Sequence, residues 1–322
     1  MHGKRTYFSL FIYFVMGIFI GRLIIPENIL NPFNCTSYSI STLSSSSVHI
    51  VNTSKPISAP FRCIKTKTLL NYVSTTVCLH DVDKDIYVSG AFQEKTSIWE
   101  EGGVSRILQL LLRHPHLDFI DIGANIGTYT MYAAALGRFV MAIDCFAPNV
   151  HRLHRAVQLA NLGNRVMIVQ NAIYSRSGEL LRLSNDPKNI GGQAISPSKN
   201  GTSNQTNIDD PYLVKTVQFD ELLPLLLSRG VRGAILKVDI EGSESFVVES
   251  GKQMFDILEI PFIQMEWLNV RHHADRIKIL LDFFAKRTYL PFTLACQTLD
   301  LNNILAWPDD LLWIKGNSSS FC

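Results

Sequence analysis

Hydrophobic and polar positions follow two periods along most of this chain. Across residues 96–113 apolar side chains recur at helical spacing (Ile98, Trp99, Val104, Ile107, Leu108, Leu111). Short apolar runs then alternate with helical stretches. Strand 118–122 leads into a helix to 136, strand 139–143 into a helix to 162, and strand 166–170 into a polar, hairpin-like insert. After the insert come strand 215–218 with a helix to 228, strand 234–238 with a helix ending near 255, strand 262–266 with helix 271–286, and terminal strands near 292–296 and 311–314. This alternation predicts an α/β fold, a Rossmann-like, doubly wound, mostly parallel sheet. Strand-like runs at 73–79 and 85–88 precede it as part of a cap over 61–117.

The N-terminal sixty residues break both periods. Residues 6–25 are apolar on every face for about 20 positions, enough at 1.5 Å per residue to span a bilayer core. Lys4 and Arg5 precede the run and Arg22 is its one late basic residue, so the positive-inside rule puts residues 1–5 in the cytosol. A cleaved signal peptide is the competing reading, disfavoured by the length of the run and the lack of an A-x-A site after it. Residues 26–60 are rich in Ser and Thr without a helical period and predict a stem, leaving 61–322 as the folded domain. Asn34, Asn52, Asn200, Asn204 and Asn317 each open an N-x-S/T sequon on the far side of the anchor. They predict N-glycosylation and a type II membrane protein of the Golgi or secretory pathway, with its domain in the lumen.

Composition adds exclusions. A net charge of +2 gives no field suited to nucleic acid or other polyanions. Six cysteines show no C-x-x-C or Cys/His metal spacing, so no metal is expected. In an oxidising lumen Cys63 and Cys78 can staple the start of the domain, while Cys145 reads as a buried thiol.

The chemistry concentrates at the ends of two strands. Asp121, Gly123, Ala124, Asn125 and Gly127 lie on the turn from the first strand into its helix, where glycines let a ligand approach the backbone. A dinucleotide fingerprint needs a second glycine at the position held by Asn125, so NAD is disfavoured. Further landmarks are Asp144 ending the second strand, Asn171-Ala172, FDELL at 219–223 and LKVDIEGSES at 236–245. Taken together with DFIDIGANIGTYT at 118–130, they make the chain resemble the FkbM-type family of class I methyltransferases.

That resemblance implies S-adenosylmethionine as methyl donor. The 121–127 loop would hold its methionine part, Asp144 its ribose hydroxyls, and Asn171 its adenine through side-chain amide or backbone. The family usually has Glu-Pro or Asp-Pro where this chain reads Asp144-Cys145-Phe146-Ala147-Pro148.

Strand alternation sets Lys237, Asp239 and Glu241 on one face at the end of strand 234–238. Methyl transfer to a hydroxyl needs a base, and Asp239 is the first choice. Lys237 would polarise the acceptor oxygen and Glu241 would assist; a structural Lys–carboxylate pair with Ser243 or Glu244 capping the next helix is the alternative. Glu266 and Trp267 would add a carboxylate and a stacking surface for a sugar, and residues 189–193 would line the acceptor cleft. His272 and His273 read as surface residues. The expected acceptor is a hydroxyl, of a glycan given the lumenal address. The rival readings are a non-catalytic trafficking or scaffold protein that keeps the fold, and a small-molecule or lipid O-methyltransferase.

Overall fold

A computed structural model describes residues 47–93, 97–196, 210–316 and 321–322. The anchor run and the sequons at Asn34, Asn200, Asn204 and Asn317 lie outside them. Among the described residues no helix is long and apolar enough to cross a membrane.

Two short strands, β1 (Arg62–Lys65) and β2 (Thr76–Leu79), form an antiparallel hairpin closed by the Cys63–Cys78 disulfide. Helices α1 (Val88–Ala91) and α2 (Glu101–Arg113) complete the cap. The strand expected at 85–88 is instead a turn. The buried Asp85 carboxylate accepts the amides of Val88 and Ser89 and the Ser89 hydroxyl, which favours a helical start over an extended run.

The main domain then runs β3 (Asp118–Ile122), α3 (Thr128–Ala135), β4 (Val140–Ile143), α4 (Ala147–Leu159) and β5 (Val166–Val169). Next come β6 (Ala172–Ile173), β7 (Leu180–Arg182) and, where strand 215–218 is expected after the insert, β8 (Leu213–Val217), paired among themselves as a small sheet. The chain returns through α5 (Leu223–Ser228), β9 (Ala234–Val238), α6 (Ser245–Ser250), α7 (Lys252–Ile257), β10 (Phe262–Glu266), α8 (Ala274–Lys286), β11 (Tyr289–Thr293) and β12 (Asp310–Lys315). Where the sequence predicts one helix to 255, the structure has two, broken at Gly251. A Cβ there would stand 2.6 Å from the Phe219 ring.

The large sheet has the order β11-β12-β10-β9-β3-β4-β5. β5, β4, β3, β9 and β10 are parallel, while β12 pairs antiparallel with both β10 and β11. This is the expected Rossmann-like, doubly wound sheet, with its last strand inserted antiparallel, unlike the 3-2-1-4-5-6 order of dinucleotide folds. Strand alternation sends Phe119, Val140, Ala142, Ile168 and Ile235 against α2, α3 and α4, and Ile120, Ile122, Met141, Leu236 and Val238 against α5 to α8. A second disulfide, Cys296–Cys322, ties the chain end to the loop after β11.

Residues 47–60 differ from the stem reading. Ile50 bridges Val169, Val51 N–H donates to Ile168 O at 2.9 Å, and Gln170 N–H donates to His49 O at 2.9 Å. This segment covers the otherwise open edge of β5. The Ser/Thr content hid a few residues whose backbone completes the sheet.

Candidate active site

The connection from β3 runs through β4 and β5 on one side and then returns to β9 and β10 on the other. That reversal leaves a crevice beyond the carboxyl ends of β3 and β9, where ligands of such sheets bind. A cavity of 610 Å³ occupies it. Asp121, Gly123, Ala124, Asn125, Asp144, Asn171, Lys237, Asp239 and Glu241 all line this cavity. Gly127 does not; it opens α3 with φ +92°, and a side chain there would strike Leu153.

On the β3 side the loop folds against the end of β4. Gly123 and Ala124 N–H groups both donate to Ile143 O, at 2.9 and 3.0 Å. Gly123 has φ +82°, and its α-carbon lies so close to the Asp239 carbonyl that a Cβ would be 2.8 Å from the carbonyl carbon. Asp121 is buried; its Oδ2 accepts from the Thr130 hydroxyl at 2.6 Å and the Thr130 amide at 3.1 Å, while Oδ1 has no partner. Burial raises its pKa, opposed by the charge of Lys237.

Asp144 holds the loop. Its Oδ2 accepts from Asn125 N–H and its Oδ1 from Phe146 N–H, each at 2.8 Å. Asn149 Nδ2 approaches both oxygens and donates to Gly191 O, and His80 Nε2 lies 2.7 Å from Asn149 Oδ1. Burial pushes the Asp144 carboxyl up to about 7 and the His80 imidazole down to about 4. The hydrogen bond to Asn125 fixes that residue in a left-handed conformation, φ +52°, which asparagine tolerates.

Asn171 is also buried, but its amide is fully engaged. Oδ1 accepts from His49 N–H at 2.7 Å, and Nδ2 donates to Ser47 O and Lys215 O at 3.0 and 3.1 Å. Of the two adenine contacts expected from sequence, this leaves the backbone. Asn171→Leu is expected to destabilise the protein by roughly 1–3 kcal/mol, because three part-buried backbone groups lose their partners. The check is a lower midpoint in urea at unchanged slope, with ligand affinity at the cleft within about threefold.

The β9 side carries the charges. Lys237 Nζ donates to Asp239 Oδ2 at 2.8 Å and sits 4.9 Å from the centre of the Tyr129 ring. Burial pulls the Lys237 pKa down, but Asp239, Glu100 and Asp121 together hold it well above its ordinary value. Tyr129 donates to Glu100 Oε2 at 2.8 Å and accepts from Gln264 Nε2 at 3.0 Å. Glu241 reaches the cleft differently from the expected alternation: β9 has ended, and a left-handed φ of +55° turns the residue inward. Asn269 Nδ2 donates to its Oε2 at 2.9 Å and to Glu266 Oε1 at 3.2 Å. Burial, then the Asp239 charge, raises Glu241 to about 7; the same causes with Glu244 and Glu241 raise Glu266 to about 10. Glu244 does not cap the next helix as the alternative had it: its Oε1 accepts from Ile240 and Gly242 N–H, in the turn before α6.

Trp267 does not face the cleft. It is fully buried against Trp307 and Trp313, with its indole N–H on Ile304 O. The aromatic residues that do line it are Tyr87, Trp99, Tyr129 and Phe146. Tyr87, Glu100, Asn269 and Asp310 carry no local motif; only the sheet order gathers them. The insert closes the top, where Ile86 N–H donates to Lys188 O and Ile190 N–H to Lys84 O, and Gly192 passes close to Glu241. Asn189, Gly191, Gly192 and Gln193 line the cavity as expected. His272 and His273 are exposed. Among the described residues no three His, Cys, Asp or Glu side chains are grouped as a metal site requires.

No protein-family profile matches the chain, and no curated protein matches it. Solved structures that it matches include an O-methyltransferase from Bacillus cereus in complex with SAH, at 11% identity over 65% of this chain and 80% of that one, TM-score 0.34. Another is cofactor-bound Rv0187 from MTB, at 12% identity over 70% and 85%, TM-score 0.35.

Proposed function

We propose that the chain is an S-adenosylmethionine-dependent O-methyltransferase acting on a hydroxyl group. The charge of the cleft carries this reading. Among the described residues nine carboxyl side chains line it, against one basic residue, Lys237, which is already paired with Asp239. A cofactor bearing phosphates would meet like charge there, whereas a sulfonium and an ammonium find acceptors. The residues fit that group. The buried, unpartnered Asp121 Oδ1 suits an ammonium, Asp144 keeps lone pairs for ribose hydroxyls beside its backbone bonds, and Gly123 leaves the backbone bare where the loop meets β9.

The bound cofactor would supply an electrophilic methyl group for in-line displacement. The chain's part is to orient the acceptor hydroxyl and take its proton. Asp239, first choice from sequence, is committed through Oδ2 to Lys237, and without it a buried ammonium would lack its partner. Glu241, held near 7 by burial and by Asp239, is matched to accept a proton at neutral pH, and Asn269 fixes its rotamer. We therefore assign Glu241 as the base and the Lys237–Asp239 pair as the electrostatic support of the acceptor oxygen. The glycan acceptor, the membrane anchor and the lumenal address rest on the anchor run and sequons of the sequence.

Linkage tests the cofactor. A cation seated among carboxyls whose pKa values are raised must displace protons from them. Titration calorimetry of the full chain in detergent with S-adenosylmethionine, in two buffers of different ionisation enthalpy near pH 6.5, is expected to show proton release and affinity rising with pH through about 7. Absence of binding, or proton uptake on binding, would sink the reading.

A further inference from the structure

Tyr87 and Trp99 stand together at the cleft, ring centroids 6.3 Å apart at 61°, with Tyr87 49% exposed and Trp99 half-buried. They stand at the Glu100 end of the cavity, Glu100 following Trp99 in the chain. Glu100, next to Trp99, acts electrostatically on Lys237 of β9 and Asp310 of β12. In the sheet register Asp310 lies opposite Glu266, so Glu241, Glu266 and Asp310 form a wall at the same end. The same cavity is lined by the buried Asp121, whose Oδ1 has no partner.

We propose that this end is a subsite for an uncharged sugar ring, seated on Trp99 and Tyr87 with its hydroxyls on Glu241, Glu266 and Asp310, and closed to acceptors bearing carboxylate, sulfate or phosphate. The subsite rests on the methyl-transfer reading of the cleft and names its acceptor class. The C–H face of a pyranose covers an aromatic ring, and its hydroxyls both donate and accept. The wall can answer both ways, because burial and the neighbouring carboxylates raise all three carboxyls, Glu241 and Asp310 to about 7, which favours protons held among them. An anionic substituent would lose its hydration among these carboxyls. Among the described residues the single lining cation, Lys237, is held by Asp239.

The test uses the full chain in detergent and methyl glycosides of glucose, galactose, mannose and N-acetylglucosamine, each against its uronate or 6-sulfate. Binding is read by saturation-transfer NMR and calorimetry, with and without S-adenosylmethionine. At least one neutral glycoside is expected to bind, with its anionic counterpart at least tenfold weaker. Trp99→Ala and Tyr87→Ala should each weaken that glycoside at least fivefold and leave cofactor affinity unchanged, with melting curves checking the fold. No neutral glycoside binding to the wild type, anionic sugars binding as well or better, or both aromatic variants retaining full sugar affinity would overturn the subsite. Failure of the cofactor titration alone would overturn the methyl-transfer reading and leave the sugar result legible by itself.

Discussion

Gly123→Ala is expected to cut S-adenosylmethionine affinity at least a hundredfold and to lower stability by roughly 2–4 kcal/mol, the sum of left-handed strain and overpacking. Two independent causes act at this position. With φ at +82° any L side chain is strained, and the added methyl would fall on the Asp239 carbonyl group. That carbonyl belongs to the turn that ends β9, so relief requires the β3 and β9 ends to separate. Asp121 and Lys237, directly opposed in the register of those strands, would separate with them.

Gly230→Ala is the matched control. It shares a positive φ, +79°, but nothing lies within 4 Å of its Cβ position. Strain without collision should cost about 1 kcal/mol and leave cofactor affinity at the wild-type value. Calorimetry and urea unfolding of both variants separate the two causes. Equal cofactor affinity in the two variants would mean that the approach of loop to strand is not what shapes the site.

The difference between these glycines marks what could be read from the sequence. D-x-G-x-x-x-G after an apolar run announces a tight strand-to-helix turn, because the spacing and residue types are local. The parallel strands are legible for the same reason: runs such as Val140–Ile143 are apolar on both faces, and both faces are covered by helices. The far wall of the cleft is different. Glu100, Glu266, Asn269 and Asp310 come from a cap, two strand ends and a loop, and only the insertion of β12 beside β10 brings Asp310 opposite Glu266. Trp267 misled because it follows Glu266 directly: Glu266 reaches the cleft while its neighbour turns into the core. Asn171 misled in another way. Two of its three partners are the backbone of residues 47 and 49, in a segment whose composition reads as a stem.

Glu241→Gln is expected to lower kcat by 10²- to 10⁴-fold, the usual worth of a positioned base, with cofactor affinity close to wild type. The pH profile is the sharper measurement. In the wild type, kcat/KM should rise with pH and level off above about 7, since burial and the Asp239 charge hold the Glu241 proton until then and a base must lose it to act. Stability runs the other way. A carboxyl raised from 4.5 to about 7 on folding favours the folded chain fully below about 4.5, and that contribution is lost as pH rises through 7. Asp144, raised from 3.8 to about 7, adds to the same trend, so the melting temperature should fall between about pH 4 and pH 8 while activity climbs.

Two variants then distinguish the carboxylates. In Glu241→Gln the rise through 7 disappears. In Asp239→Asn the charge that helps raise Glu241 is gone while Lys237 remains, so the rise shifts to lower pH and persists, even though loss of the buried pair destabilises the fold by about 3–5 kcal/mol. A profile that survives Glu241→Gln unchanged and vanishes in Asp239→Asn would return the role of base to Asp239 and leave Glu241 as a group that positions the acceptor.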